Sequence, residues 1–376
     1  MNRFRAACVI TFLLLAAACE RFPGSPGVSR PANNIAGFFL LNEGSEGSNH
    51  CTLDYYDYST GVYSKNIFPE RNFDVIDELG DVGTDIGVYG TRLWVVVTHS
   101  NLVEVIDART GWHITQISIP NCRSITFKDR HAYVSSYGCP VGIDPNAPQG
   151  YVAKIDTSSL EVIDTCHVGY QPEEMAIVGE HLYVANSGCY RVPDYDHTVS
   201  GIDLHIFRED ICKIDVATNL HRMEADAHGQ IWVSSRGDYY DIPPIIAVIN
   251  AERNEVCDFL EEAPCSDMAL CGDSLYVYGN TWNYFTQSNK INYSIVDVRT
   301  RQVVSDNFIT DGTDLQIQSP NGIAVNPQTR EIFITDARDG VTPGKLYCFS
   351  PEGVLKWSVN TGERPSRIVF TKYHLL

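Results

Sequence analysis

Positive charge is scarce in this chain. Its 376 residues carry 28 Lys and Arg against 47 Asp and Glu, a formal net charge of −19. An acidic surface repels phosphate backbones and anionic lipid alike, which excludes nucleic-acid binding. Long hydrophobic runs are also missing: beyond residue 18 no segment is apolar and long enough to enter a bilayer. The twelve cysteines contain no C-x-x-C pair, so neither a zinc site nor a thioredoxin-like site is spelled out. Absent too are G-x-S-x-G, H-E-x-x-H, a phosphate-cradling loop and closely spaced carboxylates on a defined scaffold. With no catalytic constellation in view, the expectation is a binding protein and not an enzyme.

Residues 1–18 read as an export signal. Arg3 and Arg5 form its basic start, and Val9–Ala18 is an apolar run of h-region length, too short to span a membrane stably. The segment Leu15-Ala16-Ala17-Ala18-Cys19 resembles a bacterial lipobox, with Ala16 where leucine is commoner. This predicts lipid attachment at Cys19. Residues 19–34, rich in Pro, Gly and Ser, read as a flexible tether. Without Arg3 and Arg5 the mature chain keeps 26 basic against 47 acidic residues, a net charge of −21. Residues 35–376 are ample for the core of one large domain. Cys166, Cys212, Cys257 and Cys348 fall in or beside strands and read as small apolar packing groups. Cys122, Cys139, Cys189 and Cys265 fall in connections, where an oxidising envelope would let them pair; the sequence leaves the pairing open.

What is abundant is a repeat. Seven short apolar strands begin at Phe38, Leu93, Ala132, Leu182, Ile231, Leu275 and Ile332. Each is followed by a second strand, and most of these end in an acidic residue, as at Asp57, Asp107, Asp156, Asp203 and Asp297. Six of the repeats have a preceding strand of alternating apolar and small residues, such as Asp85–Gly90, Glu174–Gly179 and Gly322–Pro327. A unit of roughly 40 residues that cannot bury both its faces alone is the mark of a radial β-repeat. The predicted fold is all-β, a seven-bladed propeller over residues 35–376. The first repeat has no strand before Phe38, while Arg367–Phe370 has no repeat after it. Pairing the two termini in one blade settles both and removes the open sheet edges.

In such a topology the connections between second and third strands open on one face. Six of the seven are long, among them Ser135–Gly150, Ala185–Thr198, Ser234–Pro244 and Tyr278–Asn292. Long loops on a rigid scaffold are where binding residues gather. The candidate ligand contacts are Tyr137, Tyr190, Tyr195, Arg236, Tyr239, Tyr240, Trp282, Tyr284 and Arg338. Such rings with polar tips give large contact area at low entropy cost. The run Ser319–Ala337 also looks like its counterpart in calcium-dependent sugar-lactonase propellers. By that alternative Asn321 would join Asp85, Glu174 and Asp267 as oxygen ligands of a cation.

Across the mature chain, several runs resemble the YncE-like propeller lipoproteins of Bacteroidetes. They include Leu40–Asn49, Glu78–Gly83, Val184–Gly188, Ser234–Tyr240, Phe308–Gly312, Gly322–Thr329, Ile334–Arg338 and Leu355–Val359. Within that group the chain looks most like the BtuG-type proteins. That resemblance implies anchorage in the outer membrane, facing the cell surface. It also implies capture of cobalamin (vitamin B12) or a related corrinoid, delivered to a TonB-dependent outer-membrane transporter, with the corrinoid as ligand and no cofactor. A lactonase-like enzyme and a scaffold for another surface protein or glycan are the alternatives.

Overall fold

Seven antiparallel sheets of four strands each make up the protein. The structure is a computed structural model describing residues 34–376 except 74, 76, 77 and 284–287, without the side chains of 212 and 281–289. Residues 1–33, which hold the expected leader, Cys19 and nearly all of the expected tether, lie outside the described residues. Consecutive strands run outward through each blade, and the chain from Ile35 to Leu376 is one compact unit.

The second strands read as unbroken apolar runs because neighbouring blades cover both their faces. Leu93, Trp94, Val95, Val96 and Val97 are all fully buried. Outer strands alternate instead, as in His113–Ser118, where exposed and half-buried positions take turns. Inner strands must be slim where blades converge. A Cβ added at Gly87 would lie 2.5 Å from the Phe127 ring of the next blade. The acidic residues that end the third strands are turn caps. Asp156 Oδ1, for example, accepts the backbone N–H groups of Ser158 and Ser159 at 2.8 and 2.9 Å.

Closure follows the sequence expectation. Pro365–Thr371 pairs with Gly37–Asn42, placing Phe370 opposite Phe38 and Ile368 opposite Leu40. Two details differ. The outer strand of this first blade is only Val62–Ser64, and the short helix Ile67–Arg71 behind it buries Ile67 and Phe68 in the core. The expected loop Tyr278–Asn292 is largely a β-ribbon, because strands Ser274–Asn283 and Ser288–Asp297 pair far beyond the blade. Thr281, Trp282, Ile291 and Tyr293 are good strand formers, and the pairing runs from Ser274 to Asn283 without a register shift. All nine cysteines whose side chains are described are free, so the connection cysteines do not pair with one another. Buried Cys122 packs against the backbone oxygens of Val97 and Leu102.

Candidate functional site

The inner strands begin at the mouth of the central channel, on the face of the long loops. Most of them carry a β-bulge there: the register shifts between Gly83 and Asp85, Cys122 and Ile125, Pro172 and Met175, and Leu220 and Met223. Pro320–Gly322 does the same, and the closing strand shifts opposite Leu41 and Asn42. An extra residue in one strand re-aims side chains off the sheet plane. The residues at these bulges are Thr84, Arg123 with Ser124, Glu173 with Glu174, His221 with Arg222, and Asn321, joined by Arg367 beside the last shift. They line the mouth as a ring.

Two charge clusters share this ring. In the first, Arg222 meets Glu174 at 2.8 Å and Asp267 at 3.1 Å. Arg367, from the closing strand, pairs with Glu174 and approaches Asp267 at 3.6 Å and Asp85 at 4.0 Å. Asp85 also accepts Ser124 Oγ at 2.7 Å and Ile125 N–H at 2.9 Å. In the second cluster, Glu173 accepts hydrogen bonds from the Tyr137 hydroxyl at 2.5 Å and from Arg123 Nε and Nη2 at 3.3 Å each. Arg236 stands 3.5 Å from the same carboxylate, and the Arg123 guanidinium lies over the Tyr137 ring.

Crowding shapes the proton load. Burial pushes Asp85 up to about 6, with the nearby Glu174 adding to the shift. Asp267 rises to about 7 because burial outweighs Arg222, and Glu224 deeper in the channel rises to about 8 through burial and its acidic neighbours. Glu173 goes the other way: burial raises it, but Arg123 and Arg236 prevail and hold it low. Burial, then Arg222 and Arg236, keep the His221 imidazole neutral.

These shifts set a pH dependence. The folded chain holds extra protons on Asp85, Asp267 and Glu224 between about pH 4, where free carboxylates titrate, and about pH 8. Stability from these groups is therefore greatest at the acid end and falls as pH rises through that window. Glu173 opposes this only below the usual carboxylate range, and His221, neutral where a free imidazole protonates, opposes it below about pH 6.5, one group against three. Unfolding midpoints at constant ionic strength should be lower at pH 8 than at pH 5. A flat or rising profile would contradict the assignment.

Above the ring lie two adjoining cavities. One, of about 340 Å³, sits over Arg123, Glu173, Glu174 and Arg367 and touches Tyr190. The other, of about 540 Å³, runs beneath Tyr239, Tyr240, Ile242 and Pro243 and reaches Tyr278 and Asn280. They share His221, Arg222, Arg236 and Asn321. The tyrosine wall is held by its own loop. Asp238 Oδ1 accepts the N–H groups of Tyr240, Asp241 and Ile242 at 2.9, 2.9 and 2.8 Å. Gly237, at φ 64°, lets that loop fold back: a Cβ there would lie 1.9 Å from Ile242 O.

Of the residues expected to contact ligand, Tyr190, Arg236, Tyr239 and Tyr240 line these cavities. Tyr137 is fully buried beneath the wall as a brace for Glu173. Tyr195 lines a separate depression with Tyr170 and Arg191, with Tyr239 and Tyr240 of the wall nearby. Arg338 is turned onto its own blade, donating to Pro343 O and Asn360 Oδ1. Tyr284 and the Trp282 side chain lie outside the described residues. The acidic ring of the metal alternative does assemble, since Asp85, Glu174 and Asp267 converge. The guanidinium groups of Arg222 and Arg367 sit among them, however, and Asn321 donates its amide to Glu43 and Pro365 O. Sequence reasoning missed Arg123, Glu173, His221, Arg222 and Arg367. Their signal was a charged or polar residue just before each apolar inner run, as in CRSITF, PEEMAIV, LHRMEA and PSRIVF.

Fold and site together define a seven-bladed propeller with a charged channel mouth under an aromatic-walled cup. The chain belongs to the family described as a domain of unknown function, DUF5074, whose pattern matches residues 36–371. No curated protein matches it. Among solved structures it is similar to a quinoprotein alcohol dehydrogenase-like protein from Bacteroides thetaiotaomicron, with 14% identity and a TM-score of 0.58, covering 89% of this chain and 78% of that one. The periplasmic gluconolactonase PpgL of Pseudomonas aeruginosa gives 14% and 0.55, covering 89% and 99%. Apo AztD of Citrobacter koseri gives 9% and 0.54, covering 90% and 98%. At these identities the likeness is one of fold.

Proposed function

We propose that the loop face captures a corrinoid such as cobalamin and passes it to a TonB-dependent outer-membrane transporter. The observation that carries this reading is the pair of connected cavities joined at Arg222 and Arg236 and walled by Tyr239 and Tyr240. Cobalamin is broad, edged with amides, and carries a phosphodiester in its nucleotide tail. Tyrosine faces suit the ring edge, while Asn280, Asn321 and the arginines suit amides and phosphate. Loops pinned by Asp238 and a closed ring of blades leave little to reorganise, which favours slow dissociation.

The lactonase reading has less behind it. A hard cation needs an open cage of oxygens, and here two guanidinium groups already neutralise the acidic ring. Calorimetric titration of the mature chain with cyanocobalamin and with cobinamide, which lacks the nucleotide, tests the proposal. Saturable binding of cyanocobalamin below micromolar, weaker for cobinamide, is the expected result. No heat from either ligand at micromolar protein would remove the corrinoid and favour a scaffold for another surface molecule.

A further inference from the structure

The two cavities of the cup meet over His221, Arg222, Arg236 and Asn321, and three of these side chains are engaged within the protein. Arg222 pairs with Glu174 and Asp267, Asn321 donates to Glu43 and Pro365 O, and Arg236 stands 3.5 Å from Glu173. His221 is the exception. Its half-buried imidazole lines both cavities, yet neither ring nitrogen hydrogen-bonds to any described residue.

The backbone fixes where this ring stands. At the bulge between Leu220 and Met223, His221 and Arg222 together oppose Ser234 alone. Arg222 N–H donates to Ser234 Oγ and Met223 N–H to Glu174 Oε2, both at 2.9 Å, so the chain just after His221 is pinned to two blades. Burial, with Arg222, Arg236 and Arg123 beside it, keeps the ring neutral, and one of its nitrogens therefore retains a lone pair. A neutral imidazole whose lone pair meets no protein donor suits an electron-pair acceptor, above all a metal centre. A free ion would need several such donors, and the guanidinium groups around the ring supply none. A metal that arrives already held in a macrocycle needs only one.

The corrinoid reading, on which this inference rests, brings such a metal. Cobalt lies at the centre of the corrin ring, with its axial positions directed out of the ring plane. A macrocycle spread across both cavities turns one axial position toward the floor they share. We infer that His221 is an axial ligand of the bound corrinoid's cobalt. A bond forms from the imidazole nitrogen to cobalt(III) as the bond from cobalt to an axial water breaks. The water leaves, the oxidation state is unchanged, and the neutral ring has no proton to release for the bond to form. His99 is the poorer candidate: it lines only the first cavity, and its Nδ1 lies 3.8 Å from the carboxylates of both Glu46 and Asp81.

Two corrinoids separate this inference from the reading beneath it. Cyanocobalamin, with both axial positions filled, reports capture alone; diaquacobinamide, with water on both faces, reports ligation. The absorption bands of diaquacobinamide should move to longer wavelength on binding the mature chain, matching its adduct with free imidazole. In His221→Ala that shift should vanish and diaquacobinamide affinity should fall about tenfold, while cyanocobalamin affinity stays unchanged. A second reading needs no variant. Electron paramagnetic resonance of the bound cobalt(II) form should show nitrogen triplets that become doublets when the histidines carry nitrogen-15. Diaquacobinamide bound without a spectral shift, or a shift that survives His221→Ala, would overturn the ligation and leave capture standing. Failure of the natural chain to bind either corrinoid would remove the corrinoid reading, and the ligation with it.

Discussion

Replacing Arg367 by Met should lower the unfolding free energy by about 3 kcal/mol at pH 8, the cost of breaking a buried ion pair from one side. Arg367 reaches Glu174, Asp267 and Asp85; its loss leaves Glu174 and Asp267 with Arg222, and leaves Asp85 without an ion-pair partner among the described residues. Methionine keeps most of the volume, so the effect reads charge and not a cavity. The loss should shrink by at least half at pH 5. There Asp267 and Asp85, already pushed up to about 7 and about 6, take up protons and no longer need the guanidinium. Urea unfolding at the two pH values measures both quantities. An equal loss at pH 5 and pH 8 would mean that Arg367 serves packing and not charge balance.

Truncating both wall tyrosines, Tyr239→Ala with Tyr240→Ala, should weaken corrinoid binding by about 3 kcal/mol, roughly two orders of magnitude. These rings are 52 and 82% exposed in the free protein, so their truncation removes little from the core. Unfolding midpoints should accordingly match those of the unaltered chain. A control at Ile206→Ala, in an exposed turn on the opposite face, should leave affinity unchanged. Tight binding that survives the double change would keep the ligand and discard the wall. Binding lost equally in the control would point to a fold defect.

The propeller was legible because its cause is periodic. Apolar second strands recur since each is covered on both faces, and Asp107, Asp156 and Asp297 recur since each caps the same turn. The ring closure was legible from a leftover strand, Arg367–Phe370, that had nowhere else to pair. The cup was only half legible. Loop composition pointed to Tyr190, Tyr239 and Tyr240, but it could not tell them from Tyr137, which faces inward to Glu173, or from Arg338, which folds onto its own blade. The channel mouth was hidden for a different reason. Bulges turn Arg123, Glu173 and Arg222 out of the strand alternation, and a two-residue period reads such positions as strand ends. The β-ribbon after Ser274 was missed because Asn280, Asn283, Asn289 and Lys290, interleaved with its apolar residues, read as a loop.

The closing strand ties the order of events to the site. The mouth draws on Asp85, Glu174, Arg222 and Asp267 from four blades made earlier, yet Arg367 reaches it only when residues 365–371 dock against Gly37–Asn42. A chain emerging amino terminus first therefore exposes a mouth in which Asp85, Glu174 and Asp267 have Arg222 nearby but lack Arg367 until residues 365–371 seat. Any product cut short before that strand has both an open sheet edge and a mouth of the wrong charge. Charge balance at the mouth thus waits on the docking of residues 365–371 against Gly37–Asn42, and that pairing acts as the latch of the ring.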